Sequence, residues 1–316
     1  MQETAFDLTG RDLLTLLDYS PEEVAYLLEQ AKQLKVDHKS GISDKRLAGK
    51  SLGMIFENAS TRTRVSFEVG MTQLGGHSLF LSSRDLQIGR GEPIKDTANV
   101  LSRYVDAIMI RTNSHEVVSE FATHATVPVI NALTDSYHPC QALADGLTIL
   151  EHKGTFKGVK LVYIGDGNNV AHSLLALGAK TGMDVTIASP EGHEVDSEIY
   201  NKAKKAAEKT GAKLEQCQDP QLAVVGADVI YTDVWTSMGF ESEQAERLSA
   251  FAAFQVNEEL LKNAKPDYIF LHCLPAHRGE EVSTDIIDGI HSAVYDQAEN
   301  RLHVQKSVLV ATMSNS

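Results

Sequence analysis

The chain has 316 residues and a mass of 34.5 kDa, which is enough for two α/β domains of ordinary size. Its formal net charge of −14 and pI near 5.3 argue against nucleic acid or an anionic membrane as the main partner. The three cysteines, the mixed acidic amino terminus and the lack of an apolar run near the roughly 18 residues of a membrane span predict a soluble cytoplasmic protein.

Short apolar runs alternate with helical periods along the chain, a pattern typical of parallel sheets covered by helices on both faces. The strands predicted in the first half are Ser51–Glu57, Ser78–Ser82, Ala107–Thr112 and Val127–Ala132. The helices predicted there are Thr61–Leu74, Ile94–Tyr104, His115–Ala125 and Pro139–His152. The second half has predicted strands at Lys160–Gly165, Asp184–Ser189, Lys213–Gln216, Asp228–Val234 and Tyr268–Leu274, again separated by helices.

A polar break at Glu151–Gly158 predicts a domain boundary, with the helix before it as a stiff connector. We expect a first domain at residues 1–150 and a second at 151–297. A last helix, Ala298–Thr312, has no strand to lead into, and we expect residues 298–316 to pack back on the first domain. The predicted fold class is α/β, with two domains, each a parallel sheet flanked by helices, joined by interdomain helices.

One group of hydroxyls and guanidiniums stands where a strand runs into a helix. Ser60, Thr61, Arg62, Thr63 and Arg64 follow the first predicted strand and open the helix after it. A helix N-terminus offers unpaired N–H groups and the positive end of the helix dipole, and Arg can bind two phosphate oxygens at once. The pattern predicts an anion site, although an ordinary helix cap followed by solvated arginines would also fit it.

Other chemically informative residues also lie at strand ends, where open parallel sheets bind their ligands. Arg111 ends the third predicted strand, and His138, which we expect to point outward, precedes the helix that begins at Pro139. The remaining groups are Gly165-Asp166-Gly167-Asn168-Asn169, Asp233-Val234-Trp235-Thr236-Ser237-Met238-Gly239 and His272-Cys273-Leu274-Pro275.

Five ordered motifs make the whole chain resemble the carbamoyltransferases, and among them the members that use ornithine. They are Ser60-Thr61-Arg62-Thr63-Arg64, His138-Pro139-Cys140-Gln141, Asp233 to Gly239, His272-Cys273-Leu274-Pro275 and the helix around Arg301. The first two are found in carbamoyltransferases generally. Ser237-Met238-Gly239 and His272-Cys273-Leu274-Pro275 are similar to the ornithine members in particular.

The resemblance implies a carbamoyl phosphate site in the first domain. It assigns the phosphate to Ser60, Thr61, Arg62 and Thr63, with Gln87 reaching in from a neighbouring subunit and Arg301 completing the charged cage. It assigns the carbamoyl group to Arg111, His138, Pro139, Cys140, Gln141 and the backbone at Cys273 and Leu274. Arg111, His138 and the Thr63 hydroxyl would stabilise the oxyanion that forms on the carbonyl.

The resemblance also implies an ornithine site in the second domain. Asn169, Asp233, Ser237 and Met238 would bind ornithine, with Asp233 on the α-ammonium and Asn169 on the carboxylate. An alkylammonium has a pKa of about 10.4, so the amine must lose a proton before it attacks. The family places Cys273 there as the proton acceptor. The departing phosphate is the alternative acceptor, since an unperturbed thiol is mostly protonated at neutral pH.

The predicted activity is transfer of the carbamoyl group from carbamoyl phosphate to L-ornithine, giving citrulline and phosphate, with no cofactor and no metal. The resemblance implies a homotrimer or a multiple of trimers. Putrescine or another amine as acceptor, and a non-catalytic amino-acid-binding module, remain alternatives. An NAD-dependent dehydrogenase is disfavoured because Val170 replaces the third glycine of the dinucleotide fingerprint. A zinc site is disfavoured because the spacing of the His and Cys residues does not match a structural site.

Overall fold

The computed structural model describes residues 6–236 and 244–314, which form two compact units. The first unit is Met1–Leu147 together with Glu299–Ser316, and the second is Thr148–Ala298. Each unit contains a parallel sheet flanked by helices, so the predicted α/β class is confirmed. Within the described residues, no helix has both the length and the apolar character needed to cross a membrane.

The first unit contains a four-stranded parallel sheet in the order β2-β1-β3-β4. Its strands are β1 (Ser51–Phe56), β2 (His77–Ser82), β3 (Ala107–Arg111) and β4 (Val129–Leu133). Its helices are α1 (Pro21–Lys39), α2 (Thr61–Gln73), α3 (Ile94–Leu101) and α4 (His115–His124), with short 3-10 helices at Leu16–Asp18 and Gln87–Arg90. Strand β3 is buried along its whole length because both of its edges are paired and helices cover its faces.

Helix α1 is not among the helices predicted from the sequence, although both its start and its apolar period, Val24, Leu27, Leu28, Ala31 and Leu34, indicate it. The Ser20 hydroxyl accepts a hydrogen bond from the backbone N–H of Glu23, and the Glu23 carboxylate accepts one from the N–H of Ser20. Pro21 follows at the first helical position, where its missing N–H costs nothing. This reciprocal cap and the proline mark a helix start that the sequence shows plainly.

The second unit contains a five-stranded parallel sheet in the order β7-β6-β5-β8-β9. Its strands are β5 (Lys160–Ile164), β6 (Asp184–Ala188), β7 (Leu214–Cys217), β8 (Val229–Thr232) and β9 (Ile269–His272). Helix α5 (Pro139–Lys153) contains the point where the chain passes from the first unit to the second. The helices that follow are α6 (Asn169–Thr181), α7 (Ser197–Ala207), α8 (Pro220–Ala223), α9 (Gln244–Ala250), α10 (Glu258–Leu261) and α11 (Thr284–Ile287).

The last helix, α12, runs from Val294 to Met313 and therefore begins four residues before the predicted start at Ala298. The apolar pattern does not show this first turn because one of its buried side chains is polar. The amide of Gln297 donates to the Tyr231 hydroxyl and accepts from the backbone N–H of His272. From Glu299 onward the helix belongs to the first unit, where the backbone N–H of Gly10 donates to Thr312.

Candidate active site

The helix cap at the start of α2 is built from the motif that the sequence singles out. Ser60 is in the extended conformation, and its hydroxyl accepts from the backbone N–H of Thr63 at 3.4 Å. Thr61 and Arg62 occupy the first helical positions at the carboxyl end of strand β1, at the positive end of the helix dipole. The structure therefore puts the predicted anion-binding residues at a helix N-terminus beyond a sheet.

The Thr63 hydroxyl is the point where three distant parts of the first unit meet. It accepts from Arg111 Nη1 at 3.4 Å and from Arg301 Nη2 at 3.3 Å. Arg301 also donates through Nη1 to the Gln141 side chain at 2.8 Å, and Gln141 donates to Asp145 at 2.8 Å. All five side chains are buried. The sequence-predicted residues Thr63, Arg111, Gln141 and Arg301 thus form one connected polar cluster.

His138 lies beside this cluster and is buried, with 5% of its surface exposed, so the prediction that it points outward is wrong. His138 directly precedes helix α5, and its backbone carbonyl accepts hydrogen bonds from the N–H groups of Gln141 and Ala142 in the first turn of that helix. Burial is the main reason that the pKa of His138 lies well below its ordinary value. The positive charges of Arg301, Arg111 and Arg62 disfavour the imidazolium further. His138 is therefore neutral and can donate one hydrogen bond from its ring.

The neighbours of His138 have different roles in the structure. Pro139 opens helix α5, and Cys140 is fully buried, with its thiol donating to the carbonyl of Asn131 at 3.7 Å. Burial raises the pKa of the Cys140 thiol to about 11, so it stays protonated. Gln87 is exposed and begins a short 3-10 helix, and within the described residues its side chain makes no hydrogen bond to the cluster at Thr63. The predicted contribution of Gln87 from a neighbouring subunit stays a prediction.

In the second unit the carboxyl ends of β8 and β9 bring Asp233 and Cys273 together. The Cys273 thiol donates to Asp233 Oδ1 at 3.0 Å, and the backbone N–H of Val234 donates to the same oxygen at 2.8 Å. Asn168 donates to the other carboxylate oxygen at 3.0 Å. Sequence reasoning placed Asp233 and Cys273 in the site but missed Asn168 as the residue that orients Asp233.

Asn168 could have been found from the sequence, because Asn before a predicted helix is a favoured cap. Its carbonyl oxygen accepts from the N–H groups of Val170 and Ala171, so Asn169 occupies the first position of α6. Gly167, just before it, is required by close packing. A Cβ there would lie 2.3 Å from the backbone of Glu194. The glycine that resembles a dinucleotide fingerprint therefore has a packing explanation.

The turn after β9 contains an unusual backbone. Leu274 has φ of +58°, in the left-handed region that L residues with side chains rarely adopt, and its bond to Pro275 is cis. Its N–H donates to His272 Nδ1 at 2.9 Å, while His272 Nε2 lies 3.2 Å from Glu281 Oε1. Glu281 was not predicted as a site residue, although it lies only nine positions after His272, because its position in the sequence does not show that its side chain turns back to β9.

Two triplets in this unit hold three possible metal ligands, all within 4.8 Å of one another: Asp233, His272 and Cys273, and His277, Glu280 and Glu281. The spacing of residues along the sequence could not indicate the first triplet, because its ligands lie at the ends of two different strands.

Ser237 and Met238, predicted to bind ornithine, lie outside the described residues.

Two family models cover nearly the whole chain. The model for the carbamoyl-P binding domain of aspartate/ornithine carbamoyltransferase matches residues 11–151, and the model for the Asp/Orn binding domain matches residues 157–312. The chain belongs to the aspartate/ornithine carbamoyltransferase family. The predicted resemblance is confirmed at the level of the family.

Family members that are highly similar to this chain are named ornithine carbamoyltransferase. A protein of Halalkalibacterium halodurans named ornithine carbamoyltransferase is 71% identical over 313 residues, covering 99% of this chain and 98% of that protein. One of Pyrococcus furiosus, named ornithine carbamoyltransferase, anabolic, is 60% identical over 306 residues, covering 97% of each. A solved structure of the P. furiosus enzyme has a TM-score of 0.95 at 59% identity, covering 98% of each chain. The structure from Thermus thermophilus has a TM-score of 0.86 at 43% identity, covering 96% of this chain and 99% of that chain.

Proposed function

We propose that this chain transfers the carbamoyl group from carbamoyl phosphate to the side-chain amine of L-ornithine, giving L-citrulline and phosphate. The observation that carries the proposal is the buried cluster at Thr63, where Arg111 and Arg301 meet the start of helix α2. The names of the relatives at 60–71% identity support ornithine as the acceptor. The relative named anabolic favours the direction of arginine biosynthesis.

The first unit, with proposed bounds 1–150 and 298–316, binds carbamoyl phosphate. The phosphate lies against the N-terminus of α2 and receives hydrogen bonds from Ser60, Thr61, Arg62 and Thr63. Thr63 Oγ1 accepts from two guanidiniums, so its own proton is directed away from them and can be donated to the substrate. Fixed positive charge at a helix N-terminus suits a dianion, since both the dipole and the Arg side chains favour negative charge there.

The carbamoyl carbon is activated by donors that do not need to move. Attack by the neutral amine forms a C–N bond and places negative charge on the carbonyl oxygen, which Arg111, the neutral ring of His138 and Thr63 stabilise. The C–O bond to phosphate then breaks, and the phosphate leaves into the positive cage that includes Arg301. Gln141, Pro139 and Cys140 shape the carbamoyl site, together with the backbone at Cys273 and Leu274. Removing one such donor typically lowers the rate by about 10²–10³.

The second unit, with proposed bounds 151–297, binds ornithine. Asp233 binds the α-ammonium, Asn169 the carboxylate, and Ser237 and Met238 complete the site. Cys273 remains the proposed acceptor of the proton that the attacking amine must lose. The Cys273 thiol donates its own proton to Asp233 Oδ1 in a hydrogen bond. Asp233 can therefore receive that proton when Cys273 takes one from the amine.

We further propose a cytoplasmic homotrimer, or a multiple of trimers, in which Gln87 acts at a neighbouring subunit. Support comes from an apolar surface around edge strand β2, formed by Val65, Val69, Leu79 and Phe80, all of which are exposed. An exposed edge strand with large apolar side chains is a surface that proteins usually cover.

The test is an assay of carbamoyl transfer from carbamoyl phosphate to ornithine, putrescine and aspartate side by side. We expect citrulline from ornithine and, at the same enzyme concentration, at least 100-fold slower transfer to the other two amines. Faster transfer to putrescine would assign the chain to diamine carbamoylation. Ornithine binding by calorimetry without any turnover would instead assign a non-catalytic binding module.

A further inference from the structure

The turn that carries Cys273 has a conformation that its own residues do not favour. Leu274 has a left-handed backbone, with φ of +58°, although it has a full side chain. Such residues persist when the structure around them determines their conformation, and they cluster at functional sites. The structure therefore has to supply contacts that hold Leu274 in place.

One such contact is made by the side chain of the residue two positions earlier. The N–H of Leu274 donates to His272 Nδ1 at 2.9 Å, which closes the turn around Cys273. A ring nitrogen can accept a hydrogen bond only when it carries no proton. His272 must therefore be neutral, with its one ring proton on Nε2.

Glu281 faces that proton. Its Oε1 lies 3.2 Å from His272 Nε2, and both side chains have no exposed surface. The same oxygen accepts from the backbone N–H of His277, which anchors the carboxylate to its own loop. An acceptor fixed opposite Nε2 selects the tautomer that leaves Nδ1 free to accept from Leu274.

The position of the Cys273 thiol depends on this arrangement. Cys273 lies between His272 and Leu274, and its Sγ is 3.0 Å from Asp233 Oδ1. With the other tautomer, Nδ1–H would face the N–H of Leu274, and two donors cannot hydrogen-bond each other. The turn would then lose a contact that helps to hold Cys273 against Asp233.

We infer that Glu281 is a positioning residue for the carbamoyl transfer, because it holds His272 in the neutral Nε2–H form and thereby fixes the Cys273–Leu274 turn. This inference rests on the proposed function, in which Cys273 and Leu274 serve the reacting groups. Glu281 itself touches neither substrate in this assignment. Its effect reaches the reaction through His272.

The test compares Glu281→Ala with Glu281→Gln and with Glu280→Ala as the matched control. Within the described residues, Oε1 of Glu281 accepts both hydrogen bonds and Oε2 accepts none, so the amide oxygen of Gln can accept the same two N–H groups, whereas Ala accepts none. We expect E281A to lower kcat at least 50-fold and E281Q to stay within fivefold of wild type. Glu280 is a neighbouring, partly exposed carboxylate that lies 3.6 Å from His277 Nδ1 and does not contact His272 within the described residues, and E280A should stay within twofold.

Two further readouts separate positioning from general damage. The inhibition constant of inorganic phosphate should stay within twofold in E281A, because the proposed phosphate contacts belong to the first unit. In protein labelled with 15N-histidine, the ring proton of His272, assigned by its absence in His272→Asn, should be on Nε2 in wild type and E281Q. Equal losses of kcat in E281A and E281Q, an E281A variant within threefold of wild type, or a wild-type proton on Nδ1 would each overturn the inference.

If E281A does not fold, a second pair of variants tests the same contact. The amide oxygen of His272→Asn can take the place of Nδ1 and accept from Leu274, whereas the amide of His272→Gln takes the place of Nε2. We expect H272N to keep at least tenfold more activity than H272Q, and the opposite order or equal activity counts against the inference. If wild type formed no citrulline, the proposed function would fail, yet the tautomer of His272 would still be measurable.

Discussion

At the scale of single residues, neighbouring arginines in one motif have different surroundings. Arg62 and Arg64 are two positions apart in α2, so their side chains point about 200° apart around the helix. Arg64 pairs with Glu68 at 2.9 Å and stacks over the Phe80 ring at 3.9 Å. Arg62 lies close enough to His138 for its charge to lower the pKa of that ring. Only Arg62 therefore belongs to the proposed phosphate site.

Arg62→Ala should abolish useful activity and leave the fold intact. Loss of a charge-assisted hydrogen bond worth about 3 kcal/mol lowers kcat/KM for carbamoyl phosphate by about 10²-fold or more. Steady-state kinetics measures the loss of activity, and thermal unfolding measures whether the fold is intact. Both are measured for R62A and for the matched control Arg64→Ala. Near-normal affinity for carbamoyl phosphate in R62A would contradict the phosphate site.

Asp233→Asn should damage the use of ornithine and spare the binding of phosphate. The amide keeps the shape of the carboxylate but cannot pair with an ammonium, so we expect kcat/KM for ornithine to fall about 10²-fold. Asp228→Asn is the matched control. Asp228 flanks the opposite end of strand β8, where it pairs with Lys265 at 2.7 Å.

D228N should lower thermal stability and leave the KM for ornithine unchanged. The reverse result, in which D233N lowers stability by about 1 kcal/mol with a normal KM, would show that Asp233 only caps the turn through the N–H of Val234.

At the scale of secondary-structure elements, the cap of helix α1 makes a stability prediction. Ser20→Ala removes the hydroxyl that accepts from Glu23 N–H, and substitutions of this type cost about 1 kcal/mol. Urea unfolding of S20A should show that loss. Ser40→Ala changes an exposed serine just after the other end of the same helix and should be nearly neutral. Equal stability of S20A and wild type would mean that the cap contributes nothing.

Helix α12 carries a buried histidine whose protonation opposes folding. His303 packs near Lys35 and Lys306 and against the ring of His38, and Glu299 lies 3.5 Å from its Nε2. Burial and the two lysines lower the pKa of His303 to about 4. The unfolded chain, with a histidine pKa of about 6.5, binds the proton more readily between these values. The contribution of His303 to stability is therefore present above pH 6.5 and is lost as pH falls toward 4.

His303→Phe should remove part of this pH dependence. The free energy of unfolding of wild type and H303F, measured at pH 7, 5.5 and 4.5, should fall less steeply in H303F as pH decreases. His138 and His115 also have lowered pKa values, so the difference between the two proteins is the quantity to compare. Parallel curves would show that His303 does not lose its proton on folding.

At the scale of the whole molecule, the surface around β2 predicts assembly. Sedimentation of wild type should give a mass of three times 34.5 kDa or a multiple of it. Phe80→Glu would place a charge in the apolar surface and should release smaller species with lower activity, because Gln87 would no longer reach a neighbour. Tyr104→Glu alters another exposed aromatic outside that surface and serves as the control. A wild-type monomer with full activity would contradict both the trimer and the role of Gln87.

The sequence by itself determined the fold class, all nine strands of the described residues and most residues of the candidate site. Apolar strand runs report burial on both faces, and the ends of parallel strands are where ligands bind, so Ser60, Arg111 and Asp233 could be found without coordinates. The tertiary structure decided which of these residues touch. Arg301 reaches Thr63 across 238 positions of sequence, and Glu281 turns back to His272 from the far end of the connection that follows β9. It also decided that His138 is buried and neutral, because the pKa of a side chain depends on the charges and solvent that folding places around it, and those are not written in local sequence.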